Sequence, residues 1–337
     1  MSKNKPKAVL WEKKEKGTVQ CNICYNRCII PEGKVSRCFA RKNVGGEMQL
    51  NTFGLASSVA VDPIEKKPLY HFYPGTQVFS AGGWGCNFRC KHCQNWNISQ
   101  DFKEEAVHFI SPEEFVGIAQ KHNGRGVCWT YNEPAIWLEY TIESGKLAKK
   151  KGLYTAYITN GFMTPEALDL MAPYLDAFRV DLKSFDDKFY QEICGVGGAK
   201  GVYETTLHAK KLGMHIETVT NIIPTKNDSD ENLRNIARWI KENLGEDTPW
   251  HVTRFSPCYM LQNLPPTPLK TLHRAEEIGR EEGLNFVYLG NVSEKSITKC
   301  PDCRKVAIKR NYQVEIDINT DGSCKVCNRN LNVRLRA

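Results

Sequence analysis

Fourteen cysteines, eleven of them in three tight groups, constrain this 337-residue chain more than any other feature. The groups are Cys21, Cys24, Cys28 and Cys38; then Cys86, Cys90 and Cys93; then Cys300, Cys303, Cys324 and Cys327. Gaps of two and three residues suit chelation of a metal better than the geometry of a disulfide. The start MSKNKPKAVLWEKKEK carries charge with no apolar signal region behind it, and no apolar run reaches the roughly 18 residues of a membrane span. Metal binding is therefore favoured over bridges, and the expected location is cytoplasmic with no membrane partner. Cys128, Cys194 and Cys258 stand alone and read as small buried apolar residues.

Between about residues 76 and 291, short β-branched or aromatic runs alternate with helix-length amphipathic segments, the pattern of βα units around a parallel sheet. The strands read as VFSAGGW, GVCWTYNEP, LYTAYITNG, DAFRVDLKS, HIETVTNIIP, PWHVTRFSP and NFVYLGN. Helix starts are marked by Ser111-Pro112, with Glu114 completing a capping box, and by Thr164-Pro165. With 41% hydrophobic residues the chain can build a real core. Six or seven strands in about 215 residues are too few for a closed eightfold barrel of about 250. The expected fold class is α/β: a partial, laterally open (β/α)6 TIM-like barrel with small cysteine-rich metal-binding modules at both ends. The expected division is an N-terminal four-cysteine metal-binding module over 1–50, a linker packing on the barrel over 51–75, the core domain over 76–292 and a zinc-ribbon-like module over 293–337.

Every one of these strands ends in polar or special residues, among them Asn132-Glu133, Thr159-Asn160, Asp181-Lys183, Asn221 and Arg254-Ser256. In a parallel barrel these carboxyl ends share one mouth, where active sites assemble. The Cys-x3-Cys-x2-Cys run directly after the first strand reaches the same mouth. Three thiolates are informative, because a structural zinc site takes four protein ligands whereas a reactive metal keeps a position open. A [4Fe-4S] cluster on Cys86, Cys90 and Cys93 leaves one iron free to chelate S-adenosylmethionine. The competing reading is a zinc site completed by His92 or a distant residue.

The segment GCNFRCKHCQN resembles the signature of the radical S-adenosylmethionine superfamily, and within it the pyruvate formate-lyase activating enzymes. The resemblance implies reductive cleavage of S-adenosylmethionine to methionine and a 5′-deoxyadenosyl radical that abstracts hydrogen. It implies that His92 packs on adenine. Tyr131-Asn132-Glu133-Pro134 stands where the superfamily usually has Gly-Gly-Glu-Pro, which places Glu133 on the methionyl amine, while Asn132 replaces a glycine and offers a hydrogen bond. Thr159, Asn160, Asp181 and Lys183 resemble positions that hold the methionyl carboxylate and a nearby cation; the alternative for Lys183 is a rim ion pair with Asp181. Arg254 and Ser256 are weaker candidates at the sixth strand. The run DPIEKKPLYHFYPG, the TYNEP motif and the ending VYLGN followed by CPDC and CKVC resemble the radical enzyme of the AmmeMemoRadiSam group along nearly the whole chain.

Cys300-x2-Cys303, twenty residues, then Cys324-x2-Cys327 is a zinc-ribbon spacing, with Asp321-Gly322 as a turn signal. Zinc is expected there, with an auxiliary iron–sulfur cluster as the rival that spacing cannot separate. Zinc is also expected for Cys21, Cys24, Cys28 and Cys38, whose spacing is tighter and less regular. Tyr70, His71, Phe72 and Tyr73 form an aromatic patch expected to pack the N-terminal module onto the barrel. The net charge of +8 gathers at the ends, where residues 1–50 hold eleven Lys/Arg against four Glu. Those cations either offset four-thiolate metal sites or form a basic platform for RNA or an acidic partner.

The function expected is hydrogen abstraction from a protein or other macromolecule, such as a glycyl-radical enzyme, with an electron donor of the flavodoxin or ferredoxin kind. RNA modification is the alternative within the same chemistry, and a non-catalytic zinc-stabilised adaptor the alternative outside it.

Overall fold

The computed structural model describes residues 6–103 and 108–335. Its centre is an eight-stranded sheet whose strands lie side by side in chain order: β1 Ser58–Pro63, β2 Gln77–Gly82, β3 Gly126–Trp129, β4 Tyr154–Thr159, β5 Ala177–Asp181, β6 His215–Ile222, β7 Trp250–Arg254 and β8 Val287–Gly290. All neighbours pair in parallel except β1, which runs antiparallel to β2. No pairing joins β1 to β8 among the described residues, so the sheet stays open at the side. The parallel strands are joined by six helices, α1 Pro112–Lys121, α2 Leu138–Lys150, α3 Pro165–Met171, α4 Lys200–Lys211, α5 Asp230–Trp239 and α6 Leu269–Glu281.

Three of these helix starts are capped by a side chain. Ser111 accepts from the Glu114 N–H and Thr164 from the Ala167 N–H, each with proline at the first turn, and Ser229 accepts from the Asn232 N–H. The strands carry apolar side chains on both faces, as parallel strands with covered faces must. Phe79, Val127, Trp129, Tyr157, Phe178, Trp250 and Val252 face the helices. Val78, Cys128, Tyr154, Ala156, Ile158 and Ala177 face the concave side.

That concave side is plugged from below by residues 64–73. Ile64, Leu69, Phe72 and Tyr73 complete the inner apolar cluster. Beside them the buried Glu217 accepts from the N–H groups of Tyr70 and His71, at 2.9 and 2.7 Å, and faces His215 and His251 at 3.1 and 2.7 Å. These hydrogen bonds hold its carboxyl well below the usual range despite burial. His71 reaches on to the Leu331 carbonyl and the Tyr288 hydroxyl. The aromatic patch thus ties this strap to the barrel floor and the C-terminal module, and leaves the N-terminal module to other contacts.

The N-terminal module is a three-stranded antiparallel sheet, Trp11–Lys13, Val19–Cys21 and Ile29–Ile30, followed by the hairpin Arg41–Val44 and Glu47–Leu50. The C-terminal module is a three-stranded antiparallel sheet, Ser296–Lys299, Val306–Arg310 and Val314–Ile316, seated on Phe286 and Tyr288. No helix among the described residues is long and apolar enough to cross a membrane.

Candidate active site

The loop after β2 is built to hold its cysteines still. Gly85 sits at φ +87°, and a Cβ there would stand 2.0 Å from the Cys38 carbonyl oxygen, so only glycine fits. Phe88 is buried against Phe162 and Tyr190. The Arg89 and Lys91 N–H groups bond to the carbonyls of Cys194 and Ile193, at 2.8 and 2.9 Å. Cys86, Cys90 and Cys93 all face a cavity of about 370 Å³ at the carboxyl ends of the strands. Burial raises the thiols of Cys86 and Cys93, and a hydrogen bond with Cys194 together with burial raises that of Cys90, which keeps them protonated without a metal and lets a cationic centre ionise them.

Glu133 lies across the same cavity, buried at the end of the β3 motif. Its Oε1 accepts from the Ala135 N–H at 3.0 Å and the Thr159 hydroxyl at 2.6 Å; its Oε2 accepts from the Asn160 N–H at 2.8 Å. Burial outweighs these donors and pushes its carboxyl up to about 7. Asn132 serves the loop: its Oδ1 accepts from the Gly83 N–H and its Nδ2 donates to the Gly85 carbonyl. Tyr131, just before it, has φ +71°, a left-handed backbone that is uncommon outside glycine and gathers at functional sites. The Asn160 side chain donates to Asn87 at 2.7 Å and comes within 3.8 Å of the Cys86 sulfur.

On the opposite wall, Asp181 pairs with Lys183 at 2.7 Å and with Arg179. The two cations hold its carboxyl down at about 2 although burial opposes them. Lys183 is thus a rim ion pair with Asp181 and also lines the cavity. His92 also lines the cavity, with a buried Nδ1 that has no partner among the described residues. Burial and the charge of Lys183 push its imidazole down to about 3, so it stays neutral. Arg254 and Ser256 fall outside the lining. Arg254 donates to the Thr267 carbonyl at 3.0 Å, and Ser256 is exposed. Cys258 is only part-buried, and its thiol meets the His92 carbonyl at 3.2 Å.

The cavity also takes in Lys67, Arg179, Thr253 and Asn291, which the motifs did not single out. Arg179 was legible by period, since residues two apart on a strand share a face and Asp181 was already assigned. Lys67 was not legible, because only the fold brings the strap under the mouth.

A sequence model of the radical SAM superfamily matches residues 83–240, the stretch that carries the cysteine loop, the Glu133 motif and the Asp181 wall. An uncharacterized protein of Methanocaldococcus jannaschii is 40% identical over 336 residues, covering 97% of this chain and 99% of that protein. The pyruvate formate-lyase-activating enzyme of Clostridium pasteurianum is 28% identical over 160 residues, 47% of this chain and 66% of the enzyme. Among solved structures, a radical SAM methyltransferase from Sphaerobacter thermophilus superposes with a TM-score of 0.51 at 15% identity, covering 65% of this chain and 67% of that one. The chain belongs to the radical S-adenosylmethionine superfamily. Within it the chain is homologous to pyruvate formate-lyase activating enzymes.

The residues fit the cofactors of that superfamily. Three thiols on one loop leave an iron–sulfur cluster one open position. A neutral imidazole with an orphaned nitrogen and a buried carboxylate face the same space, as an amino-acid-bearing nucleoside requires.

Proposed function

We propose that this chain is a radical enzyme that cleaves S-adenosylmethionine at the Cys86, Cys90 and Cys93 site and abstracts hydrogen from a protein substrate such as a glycyl-radical enzyme. The observation that carries it is the convergence of three buried thiols, the Glu133 carboxylate and His92 on one cavity. Cys86, Cys90 and Cys93 would hold a [4Fe-4S] cluster, which when bound supplies one electron to the sulfonium, giving methionine and a 5′-deoxyadenosyl radical. Glu133 would accept from the methionyl amine, Asp181 and Lys183 would meet the polar end of the methionyl group, and His92 would lie against adenine. Asn132 and Asn160 would position the loop rather than the ligand.

A protein substrate is supported by the open side of the sheet, which leaves the mouth accessible to a large partner, and by the kinship with an enzyme named for activating pyruvate formate-lyase. The AmmeMemoRadiSam group is the subfamily proposed. The electron would come from a low-potential carrier of the flavodoxin or ferredoxin kind. The C-terminal quartet would hold zinc: Cys300, Cys303, Cys324 and Cys327 place their sulfurs within 4.8 Å of one another.

Anaerobic reconstitution with iron and sulfide tests this. Dithionite should then drive formation of 5′-deoxyadenosine and methionine, and Cys86→Ala should abolish both. Zinc binding with no iron and no cleavage would instead make the chain an adaptor.

A further inference from the structure

Asn160, the residue after β4, is buried with its amide engaged on every side. Its main-chain N–H donates to Glu133 Oε2 at 2.8 Å, and its Oδ1 accepts from the Phe162 N–H at 2.9 Å. The side-chain Nδ2 carries two hydrogens. It donates to Asn87 Oδ1 at 2.7 Å and stands 3.8 Å from the Cys86 sulfur, in position to donate there as well. Asn87 is itself pinned. Its Nδ2 donates to the Phe162 carbonyl at 3.1 Å, and its carbonyl accepts from Asn26 Nδ2 at 2.8 Å. Behind it lies the small void lined by Cys21, Cys24, Cys28 and Cys38, so the N-terminal module backs the bracket. The Phe88 N–H reaches the Cys86 sulfur from the loop side at 3.4 Å, giving that sulfur two N–H donors. Two donors do little for a protonated thiol. They become charge-assisted when the sulfur is a metal-bound thiolate, and hydrogen bonds to its sulfurs are among the levers that set the potential of an iron–sulfur cluster.

We infer that Asn160 raises the reduction potential of the cluster proposed on Cys86, Cys90 and Cys93, by donating from its side-chain amide to the Cys86 sulfur. The inference rests on that cluster reading. An added electron makes the sulfurs more negative, so the donor stabilises the reduced state more than the oxidised one. The electron comes from the low-potential carrier already proposed, and no bond forms or breaks in the step. Asn160 acts through Cys86 and is a positioning residue. Its main-chain N–H meanwhile steadies Glu133, so the carboxylate proposed for the methionyl amine and the sulfur that feels the electron hang on one rigid residue.

A redox titration of the reconstituted full chain without S-adenosylmethionine, followed by electron paramagnetic resonance with iron counted alongside, tests this. Asn160→Ser keeps the main-chain donor to Glu133 and removes the amide. Poised at the midpoint of the unaltered protein, the variant should show a reduced-to-oxidised ratio about three- to tenfold lower, a midpoint about 30–60 mV more negative for a one-electron couple, at unchanged iron content. An unchanged midpoint at full iron would overturn the inference. So would lost iron with an unchanged midpoint in the clusters that remain, since Asn160 would then only brace the loop. A second measurement needs no variant to fold. With an isotopic nitrogen label in the asparagine side-chain amides, pulsed resonance of the reduced unaltered protein should resolve a coupling to the label, and Asn160→Ser should lose it. Absence of that coupling from the unaltered protein would equally overturn the assignment. Failure of the cluster reading is distinct: the unaltered chain would then take up no iron and give no titratable signal, and the inference would fall with it.

Discussion

Glu133 meets three donors inside the protein before any ligand arrives, and a carboxylate offers about four acceptor positions. The one left over faces the cavity, which makes the residue selective for a hydrogen-bonding cation or amine. Glu133→Gln should weaken binding of S-adenosylmethionine by about 10- to 150-fold, the equivalent of roughly 1.5–3 kcal/mol for a lost charged partner, while iron content holds. Equilibrium binding under anaerobic conditions checks it, and unchanged affinity with lost iron would make the motif a mere helix start. The carboxyl pushed up to about 7 adds a pH signature. Below pH 7 the free site is protonated and must release its proton to accept from the ligand, so affinity should fall as pH drops from 8 to 6, at most about tenfold per unit. The slope should vanish in Glu133→Gln; a flat profile in the unaltered protein would sink the assignment. At this scale the sequence was informative about which residues meet, since the motifs at Cys86 and Glu133 do face one cavity. It was poor where role depends on orientation. Arg254 ends its strand as read, yet the fold turns its guanidinium to a loop carbonyl.

The elements that matter most are the short connections. The seven parallel strands were legible because each couples a β-branched or aromatic run to a turn signal, and the capped helices because Ser111-Pro112 and Thr164-Pro165 state their own start. The eighth strand, Ser58–Pro63, lay hidden inside the stretch read as a linker. As an edge strand it exposes Val59 and Val61 and half-buries Ser58 and Ala60, so its alternation runs opposite to the apolar-inward pattern that marks a strand. The cysteine loop owes its place to close backbone approach, which no pattern announces. Gly85→Ala should therefore empty the central site of iron and cost about 1–3 kcal/mol of stability, since the new Cβ has neither room nor a permitted φ. Iron analysis and thermal unfolding check this. Retention of both would mean that the loop tolerates a shift that this packing denies.

At the scale of the whole molecule, the strap, the barrel floor and the ribbon share one buried polar knot around Glu217 and His71. Replacing Glu217 by Gln places an amide N–H against donors it cannot accept from, and should cost about 3–5 kcal/mol in denaturant unfolding. Removing the zinc proposed for the ribbon with a chelator should lower the melting temperature of the core as well, because Phe286 and Tyr288 pack into the ribbon's own cluster. Independent unfolding of the ribbon, with the core transition unmoved, would refute that coupling. Tyr70 and His71 stood out in the sequence as an aromatic patch, but their partners did not, since the members lie up to 260 residues apart.

The strap also sets a timetable. Residues 64–73 are synthesised before any parallel strand exists, yet Glu217 follows Tyr70 by 147 positions and Leu331 follows His71 by 260. Until those partners leave the ribosome, the strap has nothing to grip and the concave face has nothing to fill it. Contacts of such long sequence separation are expected to close late and slowly in folding, leaving apolar surface exposed until then. A chain ended at residue 292 should be cut by protease within 64–75 far faster than the full chain, whose final residues latch a segment made near its beginning.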